Sequence, residues 1–149
     1  MNKFLFFLFT ICSFPAWCQV NAKLQAKVEQ QAMALEPKVI EWRRHFHQYP
    51  ELSNRETKTG AYIAEHLKKL GLEVQYPVAK TGVVALLKGS KPGPVIALRA
   101  DIDALPVTER NSLPFASKEK TIFNGQETGV MHACGHDSHI AILMAVAEI

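Results

Sequence analysis

Residues 132–139 read His-Ala-Cys-Gly-His-Asp-Ser-His, so eight positions hold three histidines, one cysteine and one aspartate. Cys134 and His136 flank Gly135, a residue that leaves the backbone free to turn both side chains toward one point. Thiolate with imidazole is a borderline-soft donor pair suited to Zn²⁺ or a neighbouring first-row cation. Binding would also hold the sulfur as thiolate and shield it. If the segment is helical, His139, three residues beyond His136, and His132, four residues before it, could share its face. Two ligands do not complete a site, because a catalytic zinc takes three or more protein ligands. The competing reading makes each histidine a helix cap or a surface group. Cys134 as a nucleophile, with His132 or His136 as its base, is a further alternative, although the crowding of histidines suits coordination better.

A second cluster, Arg99-Ala100-Asp101-Ile102-Asp103-Ala104-Leu105-Pro106, follows the apolar run Val95-Ile96-Ala97-Leu98. In an extended chain Asp101 and Asp103 project from the same side, roughly 6.6 Å apart at ~3.3 Å rise per residue. Two carboxylates beyond the carboxyl end of a buried strand stand where open α/β sheets bind ligands. The plainer alternative is that Asp101 caps a turn and Asp103 pairs with Arg99 or Arg110. His45 and His47 lie two residues apart, which on a helix turns them about 200° from each other, at ~100° per step. They could not chelate one ion there, although His47, near a helix end, could bond a terminal carbonyl. The chain has no G-x-S-x-G elbow, Gly-rich phosphate loop or HExxH motif.

These residues need elements to position them. Asn21 to about Met33 is polar and helix-favouring, with Leu24, Val28 and Ala32 at four-residue spacing. Pro37 reads as the first turn of a second helix, on which Val39, Trp42 and Phe46 form an apolar face that Tyr49-Pro50 ends. Ser53-Asn54-Arg55-Glu56 matches a capping box, followed by a helix with Tyr62, Ile63, Leu67 and Leu70 as its stripe and Gly71 as its stop. Leu72–Tyr76, Val83–Leu87 and Val95–Leu98 are short apolar stretches separated by turn residues. The last is apolar at every position, as in a strand covered on both faces. Helices followed by buried strands suggest a layered α/β domain. From Ile140 to Ile149 the chain is apolar almost all round, which suits a helix inside a larger core. It stops there without a cap or a polar tail, and the expectation is a piece of a longer protein.

The 149 residues suffice for one modest domain. A hydrophobic fraction of 48%, against 21% charged, fits a real core. The net charge of +3 is scattered, with no basic stripe, so a nucleic-acid partner is not expected. Residues 1–20 begin with one lysine, run apolar from Phe4 to Cys12, and reach Pro15 and small residues. They read as a secretory signal peptide cleaved near 18–22, after Cys18 or after Ala22. The run is too short to span ~30 Å of hydrocarbon, so no stable membrane insertion is expected after cleavage. A lipoprotein at Cys18 and a buried N-terminal helix are the alternatives. Export to the periplasm or outside the cell would leave Cys134 as the one cysteine of the mature chain, exposed to oxidation unless something held it.

Taken together, RRHFHQYPELSNRETKTGAYIAEHLKKLGLEV, GPVIALRADIDALPVTE and GVMHACGHDSHIAILMAVAEI resemble, in order and spacing, the M20 family metallohydrolases. The chain is similar within them to the N-acyl-amino-acid amidohydrolases, such as hippurate hydrolase, the auxin-conjugate hydrolases and N-acetyl-diaminopimelate deacetylase. The match covers about Glu36 to Ile149. The resemblance implies a fold in which residues 21–149 are the N-terminal part of a di-metal, aminopeptidase-like α/β catalytic domain, a sheet flanked by helices, incomplete here. It implies two divalent ions (Zn, Mn or Co) in the complete site, with Cys134 and His136 as ligands and Asp103 as the carboxylate that orients the site. Asp101, His132, Asp137 and His139 are candidates to support it from around the ligands; Asp101 stands where related peptidases carry a ligand histidine. The family's general base, in a Glu-Glu motif, is not in this chain. The implied substrate is an N-acyl amino acid or a short peptide, and the implied full-length assembly a homodimer. An M20 exopeptidase acting on true peptides, and a non-catalytic exported metal-binding domain, are the competing functions.

Overall fold

The computed structural model describes residues 21–149, and the reading of residues 1–20 as a signal peptide lies outside the described residues. The chain order is α1 (Ala22–Gln48), α2 (Thr57–Lys69), β1 (Glu73–Val78), β2 (Gly82–Leu86), β3 (Lys120–Phe123), β4 (Gln126–Gly129) and α3 (His136–Glu148). No helix among the described residues is long and apolar enough to cross a membrane.

Asn21 starts α1 by accepting the backbone N–H groups of Lys23 and Leu24 at 3.1 and 3.2 Å, two of the donors that a helix start leaves open. Two helices were expected here, and one is found, with Pro37 inside it. The lost N–H would have met the carbonyl of Met33, an exposed residue, where water can take its place. Beyond Pro37 the helix is held by packing. Leu35, Val39, Trp42 and Phe46 repeat at helical spacing and face Ile63 and Leu67 of α2 and Ile140, Ala141, Met144 and Ala145 of α3. Phe46 is only 2% exposed, and burying such a side chain contributes about 1.5–3 kcal/mol.

The start of α2 differs from the capping box expected at Ser53. The left-handed Asn54 (φ 63°) breaks the chain before the helix begins, and Ser53 stays exposed. Glu51 caps instead, its Oε2 accepting the Thr59 N–H at 2.8 Å, a carboxylate placed at the positive end of the helix. Glu56 is buried and accepts the Thr81 hydroxyl at 2.7 Å, tying α2 to the turn between β1 and β2. Gly60 allows this approach: a Cβ there would lie 2.5 Å from the Thr81 carbonyl and 2.7 Å from the Tyr76 ring.

The described strands form two antiparallel pairs, β1 with β2 and β3 with β4. The β3–β4 hairpin turns on Asn124-Gly125, both at positive φ, as a two-residue primed turn requires. The stretch expected as a buried strand is neither buried nor paired. Val95, Ile96 and Leu98 are 90%, 80% and 63% exposed, and residues 91–100 take no strand conformation. Apolarity at every position marks a segment suited to cover on both faces, but nothing among the described residues supplies it. A smaller cluster of Leu52, Ala104 and Val130 sits where two isolated bridges, Leu52 with Ala104 and Leu105 with Met131, draw the 104–105 segment between the start of α2 and the approach to α3. That junction carries the site.

Candidate metal centre

Cys134 and His136 sit at the start of α3. Gly135 is its first flanking residue, in the left-handed region at φ 91°, a conformation that a residue with a Cβ adopts only under strain. The thiol of Cys134 is exposed and free. The His136 ring is partly buried, and its Nδ1 lies 2.9 Å from the Asp103 carbonyl oxygen and 3.0 Å from the Asp103 carboxylate. Both partners are acceptors, so Nδ1 carries the hydrogen and donates it, which leaves the lone pair of the neutral ring on Nε2. A carboxylate that fixes tautomer and ring orientation in this way is the usual companion of a metal-binding imidazole.

The remaining residues singled out from the sequence divide. Asp101 and Asp103 do not work as a facing pair: Asp101 is exposed and accepts Arg99 through Nε at 2.8 Å and Nη2 at 2.7 Å, while Asp103 turns to His136. The alternative pairing of Asp103 with an arginine is likewise not found. His139 is exposed, its ring 5.8 Å from that of His136. His132 precedes α3 rather than sharing its face. It is buried, and both of its ring nitrogens lack a hydrogen-bond partner. Burial draws its pKa down to about 4, with Asp137 opposing and His47 and His136 adding to the fall.

Asp137 is 1% exposed and held by residues that the sequence did not connect to it. Its Oδ2 lies 2.8 Å from His47 Nδ1 and 3.4 Å from Arg43 Nε, and its Oδ1 accepts the Ser138 N–H at 2.9 Å. The other nitrogen of His47, Nε2, meets Glu109 Oε1 at 2.9 Å. His47 therefore bridges two buried carboxylates and bonds no terminal carbonyl of its helix. Glu109 also accepts the Ser117 N–H and the Asn111 amide. Burial would raise the Glu109 carboxyl, but the hydrogen bonds from His47, Ser117 and Asn111 outweigh it and hold the group below the usual carboxylate range. No local pattern could have announced this bridge, because His47 is 90 residues from Asp137 and 62 from Glu109.

With Asp101, Asp103 and Asp137 engaged, no group of three or more His, Cys, Asp or Glu side chains among the described residues converges to hold a metal ion. Cys134 and His136 fit a divalent cation as two members of a larger ligand set: one soft exposed donor, and one imidazole with its free nitrogen fixed from behind. Beside His136 opens a cleft of about 710 Å³ lined in part by Asp101, Asp103, Ile63, Val83 and Met144.

Residues 97–149 match the model of the peptidase family M20/M25/M40. The chain is 51% identical over 112 residues to an N-acyl-L-amino acid amidohydrolase of Geobacillus stearothermophilus, a match covering 74% of this chain and 28% of that protein. It is 48% identical over 127 residues to thermostable carboxypeptidase 1 of Saccharolobus solfataricus, covering 85% and 30%. The crystal structure of a Bacillus subtilis dinuclear metal-binding peptidase from the M20 family superposes with a TM-score of 0.65 at 46% identity, over 75% of this chain and 30% of the other. The chain thus spans about 30% of the length of the relatives it matches. On sequence and fold together, it belongs to the M20 family of peptidases and amidohydrolases.

Proposed function

We propose that this chain contributes Cys134 and His136 to the metal centre of an amidohydrolase that cleaves the amide bond of N-acyl amino acids. The observation that carries the reading is the His136 ring, whose Nδ1 is held by Asp103 so that Nε2 is free to coordinate. The likeness to an N-acyl-L-amino acid amidohydrolase supports the substrate class. The likeness to a dinuclear metal-binding peptidase supports two ions in the complete site, with zinc, manganese and cobalt as candidates. Bound divalent ions supply Lewis acidity toward the scissile carbonyl and the attacking water. The chain's own part is to hold the ligands: Asp103 keeps the hydrogen on Nδ1, and the left-handed Gly135 sets the turn between Cys134 and His136. The proton transfers belong to a residue outside these 149.

Export is part of the proposal and rests on residues 1–20; N-terminal sequencing of the mature protein would show cleavage near 18–22. For activity, the full-length protein is assayed on N-acetyl and N-benzoyl amino acids and on dipeptides, after chelation and after return of Zn²⁺, Mn²⁺ or Co²⁺. Metal-dependent release of the acyl group supports the reading. Metal-dependent cleavage confined to dipeptides favours the second reading, a carboxypeptidase, to which the Saccharolobus relative points. Turnover unaffected by chelation overturns both.

A further inference from the structure

His47 is a buried ionisable side chain with no part in the reaction proposed above. It lies near the end of α1, its side chain 6% exposed, and each of its ring nitrogens faces a carboxylate. Asp137, on one side, follows His136 directly in the first turn of α3, and its own side chain is 2% exposed. Glu109, on the other, has a 1% exposed side chain and gathers Asn111 and Ser117 from the loop before β3. The Phe115 ring closes over the imidazole edge-on, with centroids 5.8 Å apart, and Arg43 adds a cation beside Asp137. The imidazole thus joins α1, the 109–117 loop and the start of α3 by hydrogen bonds at both of its nitrogens, with Arg43 beside it touching Asp137 and Phe115.

We infer that His47 is a positioning residue for the metal centre: by bridging Asp137 and Glu109 it fixes the first turn of α3, and with it the Cys134-Gly135-His136 turn. The inference rests on the reading of Cys134 and His136 as ligands. His136 is fixed at its ring by Asp103 and at its backbone by the neighbouring Asp137, and only the second hold passes through His47. Loss of the bridge would loosen the backbone there, leaving Asp137 the Arg43 contact alone across to α1, while the ring contact stays. It would also strand two buried carboxylates facing the space the imidazole had filled, an arrangement that costs far more than an exposed pair. Partners that orient a ligand from behind typically change metal affinity by 10–100-fold when removed.

The test uses the full-length protein stripped of metal and titrated with Co²⁺ against a competing chelator. The absorption of the cobalt–thiolate bond reports the placement of Cys134 independently of turnover. His47→Gln, which keeps one donor, is expected to weaken cobalt affinity by roughly 10-fold or more and to shift or diminish the thiolate band. Glu109→Gln, which keeps the shape and an acceptor, is expected to move both readouts the same way by less. Should His47→Gln fail to fold, Glu109→Gln carries the test alone. Leu35→Ala, a change in the core on α1 away from both the cleft and the bridge, serves as the stability control and is expected to lower thermal stability with the band unmoved. Cobalt affinity and spectrum unchanged in both bridge variants, with Cys134→Ala abolishing the band, would overturn the positioning role alone. A band that survives Cys134→Ala would overturn the ligand reading beneath it.

Discussion

The Nδ1 atom of His136 lies between two oxygens of one residue, the carbonyl of Asp103 at 2.9 Å and its carboxylate at 3.0 Å. A single residue 33 positions away thus sets the tautomer and the tilt of the ring. Asp103→Ala in the full-length protein should weaken Zn²⁺ or Co²⁺ binding by roughly 10–100-fold while leaving the far-ultraviolet circular dichroism intact. Chelator competition measures the first and the spectrum the second. Unchanged affinity would remove Asp103 from the site.

Cys134 is the free cysteine of the described residues and is exposed. In a full-length background carrying Cys12→Ser and Cys18→Ser, it should react readily with a thiol reagent in metal-free protein and slowly once Zn²⁺ is added, since coordination holds and shields the sulfur. Equal rates with and without the ion would exclude it as a ligand.

Gly60 lets α2 close on the β1–β2 turn, with the Thr81 carbonyl 2.5 Å from where a Cβ would stand. The obstacle is backbone and cannot swing aside. Gly60→Ala should destabilise the full-length protein by about 1–3 kcal/mol through overpacking, despite alanine's better helix propensity. The shift of the denaturant midpoint measures it, and a stabilised variant would contradict the packing described.

His66 lies edge-on to Trp42 at 4.9 Å. Burial lowers its pKa below 6.5, against the opposing influence of Glu148 and the Met144 backbone, while Lys38 and Lys69 add to the lowering. Between its lowered folded value and 6.5 the unfolded chain binds a proton that the folded chain refuses. Stability from this group is therefore present above 6.5 and is lost as pH falls through that window. His45, lowered mainly by its burial, acts with the same sign. The thermal midpoint of the full-length protein should fall between about pH 7.5 and about pH 5, and the drop should be smaller in His66→Gln, with His45 supplying part of what remains.

Local chemistry was legible in the sequence where one residue's neighbours decide its fate. Ile63 and Leu67 on α2 face inward as their spacing requires, and Gly71 ends that helix at φ 81°. The turn at Gly135 could be read because a glycine leaves the backbone free to turn, and it stands at φ 91°. Asn124-Gly125 carries an equally local hairpin signal, and the β3–β4 turn forms there. The misreadings arose where distant partners decide. Val95–Leu98 is apolar enough for a sheet interior, yet apolarity says that a segment suits cover and not where the cover is. Ser53 has the type of a cap, but Glu51 reached the helix first because Asn54 turned the chain. The bridge at His47 depends on carboxylates that only the folded chain brings to it.

The left-handed glycine at the head of α3 also sets how this chain tolerates change. Any single-base alteration of its codon that replaces the residue installs a side chain at φ 91°, and the strain, of order 1–3 kcal/mol, is relieved most directly by unwinding the turn between Cys134 and His136. Such a replacement would leave Cys134 and His136 unchanged in type and still disturb the backbone that carries them. An allele of that kind would pass a search for missing ligands and fail only when its capacity to retain cobalt is weighed.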